Sequence, residues 1–542
     1  MSPVAPALDR TTLLREFQRL EPSITLVQTH ISWVLLGSRE VWKIKRPVSL
    51  GFLDFGTLDQ RKAACEAEVA LNRRLAPDVY LGVLPLLRHA SGHLAPGSPD
   101  HGGEGPGELV DWVVHMRRLP DRDRADVRLR EGRLRREHID LVARRMVEFH
   151  AAARCDETTA AFGRPEAIAV NVRENFDQTR ASIARFVTPA QAEEIEQAQV
   201  GFLEQQRALL LARIEAECVR DGHGDLRLEH VYIRDDGPGE AEVTIIDCIE
   251  FNDRFRYADV AADLAFLAMD LSEHGHVELS EHLVARYAQH AGDHDLYAVL
   301  DFYEGYRAYV RGKIAAFVAD DPSVDHDRRV RAEASARHYF LLSLSTERRS
   351  LLEPAVVAVA GIIASGKSTV AELLGFEMSA PVVDADRTRK QLLGVRATQP
   401  VHDGAWQGAY DLSFTDQVYA EVLRRAGVVL ASGRPVIVEA SFRSRAQRER
   451  ARALAREHGV PFRLVECRAS PEICRERLRE RAKRASVSDG RLEIFDDFVA
   501  SFEPIDELPA QEHLVLDTGA PLDDNLVVLR NSLRTWPPGL WA

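Results

Sequence analysis

The stretch "PAVVAVAGIIASGKSTVAELLGF", Pro354 to Phe376, decides the reading of the second half of this chain. A β-branched apolar run, a glycine-bounded loop and an apolar-periodic segment follow one another without a break, which reads as strand, loop and helix. Inside it "GIIASGKS", Gly361 to Ser368, fits G-x-x-x-x-G-K-[ST]. Glycines let successive backbone N–H groups wrap an anion, and the helix N-terminus adds partial positive charge. Lys367 can then reach β- and γ-phosphate oxygens, and the Ser368 hydroxyl can ligate magnesium. The expected nucleotide-binding set is Gly361, Ile362, Ile363, Ala364, Ser365, Gly366, Lys367, Ser368 and Thr369.

C-terminal to this motif, helix and strand patterns alternate to the end of the chain, as a parallel sheet requires. The next strand, "PVV", is followed by "DADRTRK", which places Asp384, Asp386, Arg387 and Arg389 where ligands collect in open α/β sheets. A carboxylate beside a cation suits an acceptor hydroxyl next to an anion.

N-terminal to it the pattern is different. "ITLVQTH", "WVLLG" and "EVWKIK" read as strands, "DQRKAACEAEVALNRRLA" as a helix, and "VYLGVLPLL" and "LVDWVVHMR" as strands again. Between the last two lies "HASGHLAPGSPDHGGEGPGE", a Gly-, Pro- and His-rich loop. Helical periodicity dominates from about Arg136 to Glu217 and again up to about Leu351, so a small β lobe precedes a larger helical one. The boundary between the halves falls near Glu353 and Pro354.

The 542 residues carry a formal charge of -14, which argues against broad capture of nucleic acid and leaves room for a local basic pocket. No apolar run reaches the roughly 20 residues of a membrane span and the first residues lack a signal-peptide pattern, so a cytoplasmic protein is expected. Six cysteines are scattered without a C-x-x-C pair, which argues against a zinc site or disulfide framework.

A second constellation lies in "HGDLRLEHVYIRDDGPGEAEVTIIDC". A hairpin of Val231 to Ile233 with Val243 to Ile246, turning at Asp236-Gly237, brings Asp225 and His230 close to Asp247. Two distant pieces of chain then form one pocket of base and metal ligands.

Residues 354 to 520 resemble the polynucleotide-kinase-like and gluconate-kinase-like group of P-loop kinases, on the P-loop, the D-x-x-R of Asp386 and Arg389, "PVIVEASF" and "RERLRER". The resemblance implies that Asp386 is the general base, that Arg389 grips the acceptor, and that Arg477 and Arg481 close over the transferring phosphate. Glu439 stands where such relatives commonly have Asp, facing magnesium-bound water or the acceptor. A solvated helix face is the alternative for the arginines.

The first half resembles the aminoglycoside phosphotransferase family, whose fold is kinase-like, on "HGD", "IIDCIEF", "DLAFLAMDL", "EVWKIK", "CEAEVALNRRL" and "MVEFHA". That resemblance implies Asp225 as base, Asp247 on magnesium, and Lys43 or Lys45 pairing with phosphate and Glu68. His230 departs from the asparagine of the pattern, which leaves a one-metal site, a histidine that orients Asp225 or phosphate, or a pseudokinase. In "FYEGYRAYVRGK", Glu304, Arg307 and Arg311 share a helix face, which is either salt-bridged or lines the acceptor cleft; Arg307 would then suit an anionic acceptor.

The order of the halves resembles the bacterial bifunctional aminoglycoside phosphotransferase/ATP-binding proteins. The expected architecture is an α+β protein-kinase-like bilobal domain over residues 1–350 followed by an α/β P-loop NTPase domain with a parallel sheet over 351–542. The expected activity is ATP- and Mg2+-dependent transfer of a γ-phosphoryl group to a small hydroxylated acceptor such as a sugar or amino sugar. The alternatives are a P-loop ATPase switch coupled to a pseudokinase-like domain, or a polynucleotide 5'-hydroxyl kinase.

Overall fold

The computed structural model describes residues 8–50, 53–97, 107–237, 241–322, 324–344, 352–401, 403–404, 406–483 and 486–532. Of the Gly-rich loop expected between residues 89 and 108, residues 98–106 lie outside the described residues, as does the junction expected at 350/351, while Leu94–Pro96 forms a short strand instead of loop. No described helix is long and apolar enough to cross a membrane. The backbone forms two compact units, the first of Met1–Leu141, Glu148–Asn171 and Leu203–Leu267, the second of Val142–Val147, Val172–Phe202 and Ala268–Ala542.

The first unit holds a six-stranded antiparallel sheet in the order Thr25–Gln28, Ser32–Leu36, Glu40–Lys45, Glu108–Arg117, Tyr80–Arg88 and Leu94–Pro96. Alternation along "EVWKIK" divides its side chains between two cores. Trp42 and Ile44 pack with Leu13 and Phe17 of the first helix, Arg10–Gln18. Val41 packs on the opposite face with Cys65 and Val69 of the helix Leu58–Asn72. A Thr57/Gln60 capping box starts that helix and fixes its first turn. Lys43 and Lys45 share the Val41 face, so both aim at the helix that carries Glu68. The expected hairpin forms as Val231–Arg234 paired antiparallel with Glu242–Ile245.

The second unit contains a five-stranded parallel sheet in the order Val382–Asp384, Val436–Glu439, Val356–Ala360, Phe462–Arg468 and His513–Asp517. Its first strand in sequence is central and wholly buried, which is why "VVAVA" is an unbroken apolar run. The helices Val277–Ala291, Tyr297–Asp320 and His326–Leu342 belong to the same unit. Arg434 ties the first two of them to the sheet through Glu281 at 2.8 Å and Asp301 at 3.0 Å. His294 Nε2 donates to the carbonyl of Val382 at 3.1 Å, and Gln289 donates to Glu372 of the helix Lys367–Met378 at 2.7 Å.

Candidate functional site

In the second unit, the loop after the central strand turns through three left-handed residues, Gly361 at φ 145°, Ala364 at 59° and Gly366 at 92°. A Cβ at Gly361 would stand 2.5 Å from the carbonyl oxygen of Cys467 and 2.5 Å from Ser365 Oγ, so only glycine fits there. Ser365 Oγ is buried without a hydrogen-bond partner among the described residues. Lys367 Nζ donates to its own loop, to the carbonyl of Ile362 at 3.0 Å. Arg477 braces the loop from outside, donating to the carbonyls of Ala364 at 3.2 Å and Thr518 at 2.6 Å. A curled backbone with a lysine at its mouth and an unsatisfied hydroxyl fits a triphosphate.

Parallel register sets Asp384 beside Glu439, so the two strands end their runs level with each other and with the loop. Asp384 caps the helix Ala385–Leu392 by accepting from the Arg387 N–H at 2.7 Å. The cap puts Asp386 and Arg389 one turn apart on a face that opens into a cavity. Burial pushes the Asp384 carboxyl up to about 7, against the pull of Arg387. It pushes Glu439 up to about 8, where the charges of Asp384 and Asp386 outweigh part of what Lys367 lowers. Ser368 Oγ lies 3.4 Å from Glu439 Oε1. Hard oxygen donors crowded until they retain protons are a set that a divalent cation relieves, so Ser368 with these carboxylates fits magnesium.

One cavity is lined by the P-loop residues Lys367, Ser368 and Thr369 together with Asp386, Arg389, Glu439 and Arg481. Arg481 donates to Ser488 Oγ at 3.3 Å. The same cavity is lined by Trp406, Tyr410, Arg443 and Phe498, which sequence reasoning did not single out. Arg443 follows the strand end at Glu439 by four residues, the only signal in the chain that could have drawn attention to it.

In the first unit, Lys43 Nζ stands 2.8 Å from Glu68 Oε1 and 2.7 Å from Asp247 Oδ1. Lys45 Nζ stands 2.5 Å from Glu68 Oε2 and pairs with Glu250, and its side chain is fully buried. Both lysines therefore meet Glu68, but only Lys43 reaches Asp247. Desolvation would raise the Asp247 carboxyl, yet the Lys43 and His230 charges hold it far below the ordinary carboxylate range. Asp247 itself has φ 66°, a conformation that Asp tolerates better than most residues. Glu250 was not foreseen, although it stands three residues after Asp247 in the quoted "IIDCIEF".

His230 Nδ1 donates to the carbonyl of Asp225 at 2.8 Å, and its Nε2 faces Asp247 Oδ2 at 3.5 Å. The Asp225 carboxylate accepts from Arg227 Nε at 3.1 Å. His223 accepts at Nδ1 from the Asp225 N–H at 3.2 Å and donates from Nε2 to the Ile246 carbonyl at 3.0 Å, a neutral tautomer. Burial is the main reason its pKa falls to about 4. Asp263 accepts from the N–H groups of His223 at 2.7 Å and Gly224 at 2.8 Å and so fixes the loop. The carboxylates of Asp225 and Asp247 flank one imidazole, an arrangement with oxygen donors for one hard cation. Arg307 lies buried in the helix Tyr297–Asp320 of the second unit.

A family model described as an AAA domain matches residues 356–505. Among solved structures, a gluconokinase from Sinorhizobium meliloti is 22% identical, covering 34% of this chain and 91% of its own, with a TM-score of 0.23. An ethanolamine kinase from Plasmodium vivax is 10% identical over 63% of this chain and 90% of its own, with a TM-score of 0.34. Across 479 residues, 88% of this chain and 89% of the other, the sequence is 31% identical to the uncharacterized protein Rv2004c of Mycobacterium tuberculosis. With its P-loop half matched as an AAA domain and nearly its whole length aligned, the chain belongs to the same family as Rv2004c.

Proposed function

We propose that residues 351–542 transfer the γ-phosphoryl group of ATP to a hydroxyl of a small acceptor, and that residues 1–350 form a second, protein-kinase-like phosphotransferase. The observation that carries the first part is the single cavity shared by Lys367, Ser368, Asp386, Arg389 and Arg481. Bound ATP with magnesium would supply the phosphoryl group and neutralise part of its charge. Lys367 holds the β- and γ-oxygens, with the loop N–H groups around them. Asp386 takes the proton from the acceptor hydroxyl, Arg389 and Glu439 position that acceptor, and Arg481 faces the transferring group. Beyond that proton transfer, positioning and charge complementarity provide most of the catalysis asked of these residues.

In the first half, Lys43 pairs with phosphate and is oriented by Glu68, Asp247 holds the metal, and Asp225 is the base. Its position between Lys43 and His230 supports Asp247 in that role. A second reading is favoured by His230, whose imidazole stands between the two aspartates: the first half then binds a ligand and regulates the second without transferring phosphate.

The test is ATP consumption by the full chain across a panel of sugars, amino sugars, sugar acids and nucleosides. Lys367→Ala and Asp225→Asn are each expected to abolish a separable activity. A chain in which Asp225→Asn changes no transfer rate at all would leave the regulatory reading for the first half. A chain in which Lys367→Ala changes none would end the phosphotransfer reading of the second.

A further inference from the structure

The acceptor side of the P-loop cavity holds two guanidinium groups with no ionic partner among the described residues. Arg389 is 6% exposed and forms no ion pair with a described carboxylate. Its Nε is buried without a hydrogen bond, while Nη1 donates to the Ala409 carbonyl and more weakly to Thr415 Oγ1 at 3.4 Å. Arg443 is half-buried, and no described side chain or carbonyl accepts from its guanidinium.

Each guanidinium is instead laid on an aromatic ring. The Arg389 Cζ is 4.7 Å from the Tyr410 ring centre, and the Arg443 Cζ is 3.8 Å from that of Trp406. Trp406 in turn stacks on Phe498, with ring centres 4.7 Å apart. Stacking fixes the plane of a guanidinium while leaving its N–H edge available, the geometry suited to two parallel hydrogen bonds with a carboxylate or phosphate. Trp406 has φ 61°, a left-handed conformation that a tryptophan adopts only under strain. The strain is spent on the residue that carries Arg443.

Charge points the same way. Lys367, Arg389, Arg443 and Arg481 face the cavity against the carboxylates of Asp386 and Glu439. Lys367 and Arg481 belong to the triphosphate, which leaves Arg389 and Arg443 on the other side with no described carboxylate paired to either. Burial, and with it the charge of Arg389, holds the Arg443 guanidinium below its ordinary pKa, although Tyr419, Asp416 and Glu503 act in the opposite direction. Like charges brought together with no carboxylate paired to either among the described residues suit an anionic ligand.

Resting on the phosphotransfer reading above, we propose that the acceptor at the P-loop site carries a carboxylate or phosphate group beside its reacting hydroxyl, held by Arg389 and Arg443 on their aromatic supports. Neutral sugars would lack the group these arginines recognise. Asp386, one helical turn from Arg389, would meet the hydroxyl while the anion is gripped.

The experiment uses the full chain with its nucleotide sites filled by a non-hydrolysable ATP analogue and magnesium. Inorganic phosphate and acetate are titrated separately at constant ionic strength while tryptophan fluorescence is followed. We expect a saturable change that disappears in Trp406→Phe and an affinity about tenfold weaker, or worse, in Arg443→Gln. Analogue binding by calorimetry shows that each variant is folded. A stronger response to phosphate assigns a phosphate ester, and a stronger response to acetate a carboxylate. No saturable response to either anion, or equal affinity in Arg443→Gln, overturns the anionic acceptor while leaving phosphotransfer standing. Failure of the analogue to bind the unmodified chain would remove the phosphotransfer reading first, and this one with it.

Discussion

The Lys43 ammonium lies 2.7 Å from the Asp247 carboxylate although 204 positions separate them in sequence. One turn of strand away, Lys45 shares the same Glu68 but is closed off by Glu250. Two lysines on one strand face thus occupy different environments: Lys43 opens toward the candidate metal ligand, and Lys45 belongs to the interior.

This difference predicts a split. Lys45→Met leaves Glu68 and Glu250 buried without their shared cation, a loss on the order of 3–5 kcal/mol for a broken buried pair. Its melting temperature in calorimetry is expected to fall by several degrees or more. Lys43→Ala is expected to melt much closer to the parent while losing about tenfold or more in nucleotide affinity at the first site. A stable Lys45→Met beside an unfolded Lys43→Ala would reverse the two assignments.

His230 holds the Asp225 carbonyl through Nδ1 and approaches Asp247 through Nε2 at 3.5 Å. Asparagine can keep an oxygen or an N–H near both groups, and its amide oxygen is a harder metal ligand than an imidazole nitrogen. His230→Asn is therefore expected to retain or raise turnover that depends on Asp225. Complete loss of that turnover, in a variant that still melts cooperatively, would give the histidine an essential part in the reaction.

Lys390 is 1% exposed and pairs at 3.1 Å with Asp489, which also accepts from the Val401 N–H and the Tyr410 hydroxyl. Asp489 sits between Ser488 and Gly490, both on the cavity wall. Removing the lysine alone strands a buried carboxylate, so Lys390→Met is expected to cost about 3 kcal/mol or more in urea unfolding. The double variant Lys390→Met with Asp489→Asn is expected to regain much of that loss. Simple addition of the two single effects would show that the pair is not coupled.

His294 is buried, and chiefly for that reason its pKa is pushed down from 6.5 to about 4. The folded state keeps the ring neutral, whereas the unfolded chain takes up a proton near its ordinary pKa. Stability from this group is complete above about pH 6.5 and falls as pH drops toward 4, by at most about 3 kcal/mol. Melting curves between pH 7.5 and 5 are expected to show a smaller drop for His294→Gln than for the parent. An identical drop would place the acid sensitivity elsewhere.

Contiguous motifs were legible because their function is local. The loop from Gly361 to Ser368 binds with its own backbone, and the Asp386 to Arg389 spacing is one helical turn, so both could be read from letters in a row. The "HGD" segment and "IIDC" were legible in a different way, since a short hairpin dictates that their ends meet. Glu250 was in plain view but ambiguous, because a carboxylate three residues from another is as readily a surface group as a buried partner of Lys45.

By itself the amino-acid order determined the parallel sheet around a phosphate-binding loop, the small antiparallel sheet with its glutamate-bearing helix, and the two aspartates brought together by a hairpin. Periodicity and turn chemistry act over a few residues, and those features need nothing longer. Tertiary structure alone decided which strand lysine meets Asp247, that Glu250 closes off the other, and that Trp406, Arg443 and Phe498 reach the wall of the cavity that holds Lys367. These outcomes depend on how separate segments pack, on which carboxylate is left near which cation once water is excluded, and no local pattern carries that information.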